Sequence, residues 1–318
     1  MNNNITKNVK INNNNIIYNI FDPTKNITIL VESDIDVKDQ PAIARALMEI
    51  HPNVEQVGFL SFDDNKNVKL RMAGGEFCGN ATMCAGVYAV ISDEIYKIKF
   101  PKDNENILDK KYFKEKSIDD NNYKNNNKFA NFAKTIYVDA LKKYVEVEVK
   151  CIDKNKFIGT VNMPRAKEII NIKFPDGEIY DVVHLQGISH IIIDIDNSYY
   201  KKLAENNNLK NHFENKIKPY CDFLNVESLG IIFYDKIKNS ITPLVYVKNA
   251  DTLYWENSCA SGSIAVYEYL KYKNLLPHKT VNDIKNTGLS IYQPCNEYLK
   301  IYENNNNLYL SGEVRMVS

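Results

Sequence analysis

GGEFCGNATMCAGVYAV, the stretch from Gly74 to Val90, decides how the rest of the chain is interpreted. It places Cys78 where a glycine-rich turn meets an apolar run with the residue spacing of a buried helix. Glycine lets the backbone approach a ligand closely because it has no Cβ. The sequence therefore predicts that Cys78 lies at a helix N-terminus, where the helix dipole lowers the pKa of a thiol and favours the thiolate. The backbone N–H groups from Gly79 to Ala81 are predicted to bind an anion.

The same arrangement occurs a second time, in SCASGSIAVYEYL, from Ser258 to Leu270. Cys259 lies 181 residues after Cys78, and this shift superposes the two stretches without a gap. Gly79-Asn80-Ala81 then match Ala260-Ser261-Gly262. A chance burial of two cysteines at helix starts would not explain a repeated turn of small residues. The pair of motifs therefore indicates two halves of one catalytic site.

The composition argues against several classes of protein. The chain of 318 residues has room for two domains, and its formal net charge is zero with no basic tract, which disfavours nucleic acid or an anionic membrane as a partner. Four arginines are few for a protein that clamps phosphate. The polar N-terminus has no apolar core of signal-peptide length, and no apolar run approaches the length of a membrane helix. The sequence predicts a soluble, cytoplasmic protein.

The chain contains six cysteines. A disulfide framework is typical of short secreted chains, and cytosolic thiols stay reduced, so none is predicted. A metal site is not predicted either, because no CxxC pair occurs and no histidine lies nearby at ligand spacing. Cys78 and Cys259 are predicted to be catalytic. Four cysteines are predicted to be structural or incidental: Cys84, Cys151, Cys221 and Cys295.

Alternation of apolar residues and turn signals predict the elements along the chain. Residues 1–15 are asparagine-rich and predicted to be disordered, and residues 102–132 are interpreted as a long polar surface insertion. A helix is predicted to begin after Asp39, with one apolar face: Ile43, Leu47 and Ile50. A further helix is predicted at 199–207, and strands at 16–21, 26–31, 54–62, 68–72, 95–100, 136–138, 144–151, 157–163, 188–195, 231–234, 243–247, 290–292, 299–302 and 308–317.

Each half of the chain has the same predicted order: several strands, a cysteine turn, one apolar helix and further strands. This order predicts an α+β fold of two pseudo-symmetric domains, in each of which a sheet wraps around a central helix. The N-terminal half is predicted to span residues 1–145 with Cys78, and the C-terminal half residues 146–318 with Cys259. The active site is predicted in the cleft between the halves.

Two cysteines that face each other across a cleft can move a proton through an amino acid. A substrate carboxylate among the N–H groups of both helix starts would be neutralised, which makes the neighbouring Cα–H more acidic. One thiolate then takes the Cα proton while the other cysteine, as a thiol, delivers a proton to the opposite face. This chemistry is that of an amino-acid racemase or epimerase, and it needs no pyridoxal phosphate or other cofactor.

Several motifs resemble those of the diaminopimelate epimerase family, cofactor-independent racemases with two similar α/β halves. FCGNATMC and SCASGSIA are similar to the two catalytic motifs of that family, and the resemblance covers nearly the whole chain. Asn26 matches the asparagine of the family's N-terminal segment, and Glu55-Gln56 matches its acidic residue followed by glutamine. The resemblance implies the family's fold, with a last strand, within 305–318, that returns to the N-terminal half.

Within this family the chain looks most like the histidine racemases of staphylopine-type metallophore biosynthesis, through DPTKNITILV, VEQVGFL, GGEFCGNATM and YWENSCASGS. The resemblance implies racemisation of histidine, with Cys78 and Cys259 as the acid/base pair and no metal. It implies that the α-carboxylate is held by the backbone around Asn80, Ala260, Ser261 and Gly262. The remaining candidates for substrate contact are Asn26, Glu55, Gln56, Gly79, Glu256 and Asn257.

One departure from the family argues against diaminopimelate as the substrate. The family carries a glutamate-arginine pair before its second cysteine, and that arginine holds the distal carboxylate, whereas this chain has Glu256-Asn257. Without the cation, a second carboxylate would be buried unpaired, at a cost of about 1–3 kcal/mol or more. Glu55 and Glu256 would instead suit a neutral or cationic side chain such as imidazole.

Several alternatives stay open. The same fold and site can act on diaminopimelate or another α-amino acid. Isomerases of the phenazine-biosynthesis type share the fold, but they use a carboxylate in place of two cysteines. The alternative that is not an enzyme is a module that binds an amino acid without turnover. The predicted partner is a small-molecule amino acid, with no nucleic acid and no membrane, and a homodimer is an assembly that the sequence leaves open.

Overall fold

The computed structural model describes residues 6–11, 14–99, 131–153, 155–195, 208–276 and 288–317. The strands in chain order are β1 (Lys7–Ile11), β2 (Asn14–Pro23), β3 (Thr28–Val31), β4 (Gln56–Phe62), β5 (Val68–Met72), β6 (Asn131–Val138), β7 (Lys143–Cys151), β8 (Lys156–Met163), β9 (Glu168–Lys173), β10 (Ile179–His184), β11 (Ser189–Asp194), β12 (Ser228–Asp235), β13 (Ser240–Val247), β14 (Thr252–Trp255), β15 (Leu289–Tyr292), β16 (Tyr298–Asn304) and β17 (Asn307–Val317). The helices are α1 (Gln40–Ile50), α2 (Gly79–Lys99), α3 (Asn208–Phe223) and α4 (Ala260–Tyr272), with a short 3-10 helix at Asp139–Leu141.

Eight strands pair in a closed ring around α2. The order is β2, β3, β4, β5, β6, β7, β8 and β17, and β17 pairs with β2 to complete the ring. Alternation decides which residues face the helix: in β7 the side chains of Val145, Val147 and Val149 are buried and the glutamates between them are exposed. Residues 79–90 of α2 are all buried, which is why this helix is apolar on every side.

The second cysteine helix, α4, packs on another run of strands. These pair in the order β9, β10, β11, β12, β13, β15, β16 and β17, while β14 pairs only with the free part of β13 among the described strands. Helix α4 contacts β10 to β13 and β16, and α3 packs on β12 and β13 through a separate core that contains Phe213 and Ile217. Strand β17 belongs to both runs, because its residues 307–311 pair with β16, residues 308–315 pair with β8 and residues 314–317 pair with β2.

The α+β class that the sequence predicts is confirmed, with seventeen strands and four helices in the part of the chain that the structure describes. Helices begin directly after Cys78 and at Cys259, as predicted. The proposed boundary between residues 145 and 146 falls inside β7, and the division into two domains stays a prediction. Within the described residues, no helix combines the length and apolar composition needed to cross a membrane.

Four predictions about local structure need correction. Residues 95–99 continue α2 and are not a strand, since Val87, Ile91, Ile95 and Ile98 keep a helical spacing. Part of the N-terminal segment predicted to be disordered forms β1, which pairs with β2 along its length. Ile50 keeps the spacing of the face formed by Ile43 and Leu47, but it is 47% exposed at the end of α1 and does not extend the buried part of that face. The predicted insertion ends earlier, because residues 131 and 132 begin β6.

Other elements were not predicted or cannot be compared. Strands β9, β10 and β14 and helix α3 are additions to the predicted set. The helix predicted at 199–207 lies outside the described residues, and so do residue 100 of the strand predicted at 95–100 and residues 102–130 of the predicted insertion.

Candidate active site

The two cysteine turns have the same hydrogen bonds. The N–H of Ala81 lies 3.3 Å from Cys78 Sγ, and the N–H of Gly262 lies 3.3 Å from Cys259 Sγ. One residue further on, the hydroxyls of Thr82 and Ser263 each donate to the carbonyl of their cysteine at 2.7 Å. Each sulfur therefore accepts a backbone N–H from the first turn of its own helix, in the way that an N-cap side chain does.

The two helix starts meet. A Cβ built on Gly79 would lie 2.9 Å from the Cβ of Ala260, so the residues that directly follow the two cysteines are in contact. The side-chain amide of Asn80 also donates to the carbonyl of Ser258 at 3.2 Å. The N-terminal ends of α2 and α4, and with them the positive ends of two helix dipoles, therefore converge.

One pocket lies at this convergence. Its wall contains both cysteines together with residues from β4, α1, β13 and β14. The lining residues that bear polar or ionisable side chains are Asn26, Arg45, Glu55, Gln56, Glu76, Cys78, Asn80, Thr252, Tyr254, Glu256, Cys259 and Ser261. Apolar surface comes mainly from Ala44, Met48, Val57, Phe77, Ile188, Val245, Val247 and Ala250.

Amide side chains hold each cysteine in place. The Sγ of Cys78 lies 2.9 Å from Gln56 Oε1, and the Gln56 amide in turn donates to Asn26 and Thr28. On the other side, the backbone N–H of Cys259 donates to Gln293 Oε1 at 2.9 Å, and the Gln293 amide reaches the hydroxyl of Ser263. The Cys78 sulfur and the Cys259 backbone are thus each held by an amide side chain that is itself hydrogen-bonded.

Glu55 joins the two halves of the chain at the mouth of the pocket. The backbone N–H of Asn257 lies 3.2 Å from each carboxyl oxygen of Glu55, and the Asn257 side-chain amide donates to the same group. Asn26 donates to Glu55 from the N-terminal side at 2.5 Å. Asn257 therefore binds a carboxyl group of this chain at the position where the resemblance places an arginine that binds a substrate carboxylate.

The surroundings of both cysteines favour the neutral thiol. Burial raises the pKa of Cys78 to about 12, assisted by the charges of Glu256 and Glu76 and opposed by the N–H of Ala81. Burial, the charge of Glu256 and a hydrogen bond to it raise the pKa of Cys259 well above its usual value. The prediction that the helix start favours thiolate is therefore wrong for the free site, because burial outweighs the N–H groups.

Three carboxyl groups give the pocket its electrostatic character. Burial raises the pKa of Glu256 to about 8, and the charges of Glu55 and Glu76 add to the shift. Burial also raises the pKa of Glu76 and that of Glu55, although hydrogen bonds from Asn26 and Asn257 oppose the shift at Glu55. Among the described residues that line the pocket, Arg45 is the one with a permanent positive charge. Such a wall favours a cationic ligand.

The sequence of the chain matches that of a known protein family. The family model described as the histidine racemase CntK N-terminal domain matches residues 15–103 and 117–318. The chain belongs to the histidine racemase CntK family. A histidine racemase from Fusobacterium nucleatum subsp. nucleatum (strain ATCC 23726) is 31% identical over 305 residues, which cover 94% of this chain and 93% of that protein. A histidine racemase from Staphylococcus aureus (strain Mu50) is 24% identical over 267 residues, 81% of each chain.

The fold is also that of solved racemases. A probable proline racemase from Agrobacterium radiobacter K84 superposes with a TM-score of 0.58 at 10% identity, over 95% of this chain and 91% of that one. At that identity the likeness concerns the fold alone. Membership of the histidine racemase CntK family makes the chain an isomerase, an amino-acid racemase.

Most of the site residues that the sequence predicts lie at the pocket. Nine of the predicted residues line the pocket: Asn26, Glu55, Gln56, Cys78, Asn80, Glu256, Cys259, Ala260 and Ser261. Gly79, Asn257 and Gly262 lie beside it, through the contact with Ala260, the hydrogen bonds to Glu55 and the N–H aimed at Cys259 Sγ. In the described part of the chain, no group of three or more His, Cys, Asp or Glu side chains could hold a metal ion.

Sequence reasoning missed three residues of the site. Glu76, two residues before Cys78, is the one with a local signal, since it is a charged residue inside a small apolar turn. Arg45 and Gln293 come from elements far from the cysteines in the chain, and no local pattern indicates them.

His190, on β11, is fully buried without a hydrogen bond from either ring nitrogen to a described residue, and it does not line the pocket.

Proposed function

We propose that this protein interconverts L- and D-histidine by proton transfer between two thiols and without a cofactor. The observation that carries the proposal is the contact between the starts of α2 and α4, which brings a cysteine from each half of the chain to one pocket. A racemase needs one acid and one base on opposite faces of Cα, and a site built from two equivalent turns supplies the same group on each face.

The substrate carboxylate would lie between the helix starts. The first N–H groups of a helix have no partner within the helix, and here those of Gly79, Asn80, Ala260 and Ser261 belong to two converging helices. Charge that moves from Cα onto the carboxylate during proton removal is stabilised by these N–H groups. The carboxylate thereby anchors the amino acid with its Cα beside both sulfurs.

The proton count of the reaction is balanced. The thiolate of one cysteine takes the Cα proton and becomes a thiol, and the bond electrons pass onto Cα and its carboxylate. The thiol of the other cysteine gives its proton to the opposite face of Cα and becomes a thiolate. The reverse direction starts from that second thiolate, so each enantiomer has its own base.

The ammonium group of a bound substrate would bring a positive charge close to the two thiols. Burial and nearby carboxylates hold both thiols neutral. An ammonium group among Glu55, Glu76 and Glu256 would offset those negative charges, which lowers the pKa of a neighbouring thiol. The same ammonium group would lower the pKa of Glu256 from its value of about 8, and the carboxylate, hydrogen-bonded to Cys259, could then accept the thiol proton.

The acidic wall supports histidine over diaminopimelate. A second substrate carboxylate would meet three carboxyl groups, and Asn257 is occupied by Glu55. Imidazole carries N–H donors and is neutral or cationic near neutral pH, so it fits carboxyl acceptors. The two relatives compared above are named histidine racemases, which agrees with this choice.

The proposal also concerns the domains. Residues 1–145 and 146–318 would form two pseudo-symmetric, diaminopimelate-epimerase-like domains, with the site in the cleft between them. The two cysteine turns make the same hydrogen bonds at matching positions, which supports this division. So does the presence of β17 in the ring around α2, since the last strand would then cross back to the N-terminal domain.

Exchange of the Cα proton in D₂O, followed by NMR, tests the function. L-Histidine and LL-diaminopimelate are supplied separately, without pyridoxal phosphate. We expect deuterium to enter histidine, with D-histidine appearing, and not to enter diaminopimelate. Exchange in diaminopimelate alone would refute histidine as the substrate and keep the two-thiol reaction, while exchange in neither would refute histidine as the substrate and favour another amino acid or a binding role.

A further inference from the structure

Glu76 has a carboxyl oxygen that is buried and left without a hydrogen-bond partner among the described residues. This oxygen is Oε2, and the Glu76 side chain lines the pocket that contains both cysteines. An unpaired polar atom inside a protein is costly, and such an atom persists where a ligand satisfies it. The nearest permanent cation in sequence, Arg71, is bound to Gln40, the Met72 carbonyl and Asp139.

The position of this oxygen is fixed by its neighbours. A Cβ built on Gly74 would lie 2.7 Å from Glu76 Oε2, 2.3 Å from Val247 and 3.5 Å from Ala250. The oxygen, Val247 and Ala250 thus surround the position that a Gly74 Cβ would take, and the missing Cβ leaves space for the oxygen. Val247 and Ala250 both line the pocket. Asn249 holds this turn by donating to the Gly74 carbonyl at 3.2 Å.

The pocket around Glu76 has the polarity expected of a site for a flat aromatic ring that carries a hydrogen-bonding group on its edge. Besides Val247 and Ala250, the apolar part of the same pocket wall contains Val245 and, from α1, Ala44 and Met48. Apolar walls with one convergent hydrogen-bonding group are typical of sites that bind a small aromatic group in a fixed orientation. Glu76 also precedes Cys78 by two residues, so its carboxyl group is tied to the turn that presents the first thiol.

We propose that the Glu76 carboxyl group accepts a hydrogen bond from a ring N–H of the substrate side chain and thereby selects histidine among amino acids. This inference rests on the proposed function, since it assigns the residue that recognises the imidazole. Glu76 is then a specificity-determining residue that takes no part in proton transfer at Cα. The α-amino group is left to the other two acidic residues of the pocket, Glu55 and Glu256.

The first test uses the unaltered enzyme. Cα-proton exchange is measured with L-histidine and with its two ring N-methyl isomers, which carry a methyl group at one ring nitrogen and an N–H at the other only when the ring is cationic. We expect one isomer to lose 10-fold or more in kcat/KM relative to the other, because its methyl group replaces the hydrogen donated to Glu76 and lies against the carboxyl oxygen. Equal turnover of both isomers and histidine would overturn the proposal, and so would an equal loss for both isomers.

The second test changes the residue. Glu76→Ala is expected to raise KM for L-histidine 10-fold or more with a smaller change in kcat, and to reduce the discrimination between the two methyl isomers. Glu76→Gln, which keeps a carbonyl acceptor, should have the smaller effect on KM. Glu49→Gln is the matched control, since Glu49 is exposed on α1 and outside the pocket wall.

The outcomes separate this inference from the function on which it rests. An enzyme that exchanges histidine, but whose Glu76→Ala variant keeps KM and the isomer preference of the wild type, would refute the role of Glu76 alone. An enzyme that does not exchange histidine at all would refute the proposed function and this inference together. If Glu76→Ala does not fold, the methyl isomers on the wild type still decide.

Discussion

Gly79 and Ala260, the residues directly after the two cysteines, lie against each other so closely that a Cβ on Gly79 would be 2.9 Å from the Cβ of Ala260. Real Cβ atoms do not come this close, so one of the two positions must be glycine while the other carries a methyl group. The contact sets how near the starts of α2 and α4 approach. It also sets the width of the space in which a Cα would lie between two sulfurs.

Gly79→Ala should therefore separate the helix starts and impair catalysis. The added methyl group would also meet the Met163 side chain at 3.0 Å, which can move, whereas the Ala260 Cβ is fixed to a helix backbone. Since displacements of about 1 Å can cost about 10²-fold in rate, we expect kcat to fall on that order while the fold is kept. Cα-proton exchange and a thermal melt measure the two effects.

The control is the double variant Gly79→Ala with Ala260→Gly, which moves the single methyl group from one helix start to the other. It should recover much of the lost rate. A double variant as impaired as Gly79→Ala would show that the contact with Ala260 is not the cause.

Cys78→Ser and Cys259→Ser should each abolish racemisation. A serine hydroxyl is a far weaker acid than a thiol and cannot serve as the base near neutral pH, so each variant should lose about 10²–10⁴-fold in rate. Deuterium incorporation into L- and D-histidine is measured separately, because each enantiomer would meet a different base. Cys151→Ser, on β7 and outside the pocket wall, is the matched control. Wild-type turnover in either active-site variant would refute the two-thiol mechanism.

The local features of the fold could be predicted because they depend on residues close in sequence. The start of α2 after Cys78 follows from a glycine turn and an apolar run, and the alternation in β7 follows from valines at every second position. Strand β14 could not be predicted in this way, because all four of its residues are half-buried and give no alternation. Helix α3 carries a helical signal in Phe213, Ile217 and Tyr220 that the sequence analysis did not use.

Closure of the ring and of the pocket could not be derived from local patterns. The ring closes where β17 pairs with β2, between residues almost 300 positions apart, such as Val314 and Pro23. Likewise, Glu76 becomes part of the pocket only because Val247 and Ala250 fold over its turn. The effect of that burial on the thiols also escaped prediction, since the helix start was visible in sequence and the burial was not.

Asn257→Arg tests whether the Glu55 carboxyl group contributes to the binding of a cationic substrate. A guanidinium at this position would lie beside Glu55 and pair with it, in place of the amide hydrogen bonds that Asn257 now makes. Neutralising Glu55 weakens the attraction for a cationic substrate, so we expect kcat/KM for L-histidine to fall by about 10-fold, a loss of about 1.4 kcal/mol.

Asn171→Arg is the control for this substitution, since Asn171 is an exposed residue of β9 outside the pocket wall. Its histidine kinetics should match those of the wild type. Unchanged kinetics in Asn257→Arg itself would mean that the Glu55–Asn257 contact has no influence on substrate choice.

Glu256 should make the substrate-free protein less stable as the pH rises. Its pKa in the folded protein is about 8 against an ordinary value of 4.5, so between these values the folded state binds a proton that the unfolded state has released. The free energy of unfolding must therefore decrease from about pH 4.5 to about pH 8. Glu256→Gln removes this contribution, so the variant should gain about 3 kcal/mol relative to the wild type between pH 5 and pH 8.

Chemical denaturation at pH 5 and pH 8 measures this gain, with Glu49→Gln as the exposed control. Other groups titrate in the same range, but they are common to all three proteins, so the difference between variants isolates Glu256. Addition of L-histidine at pH 8 should narrow the gap, because a bound ammonium group would pair with the Glu256 carboxylate. A gap between wild type and Glu256→Gln that is the same at both pH values would mean that Glu256 keeps an ordinary pKa, and the acceptor of the Cys259 proton would then have to be sought elsewhere in the pocket.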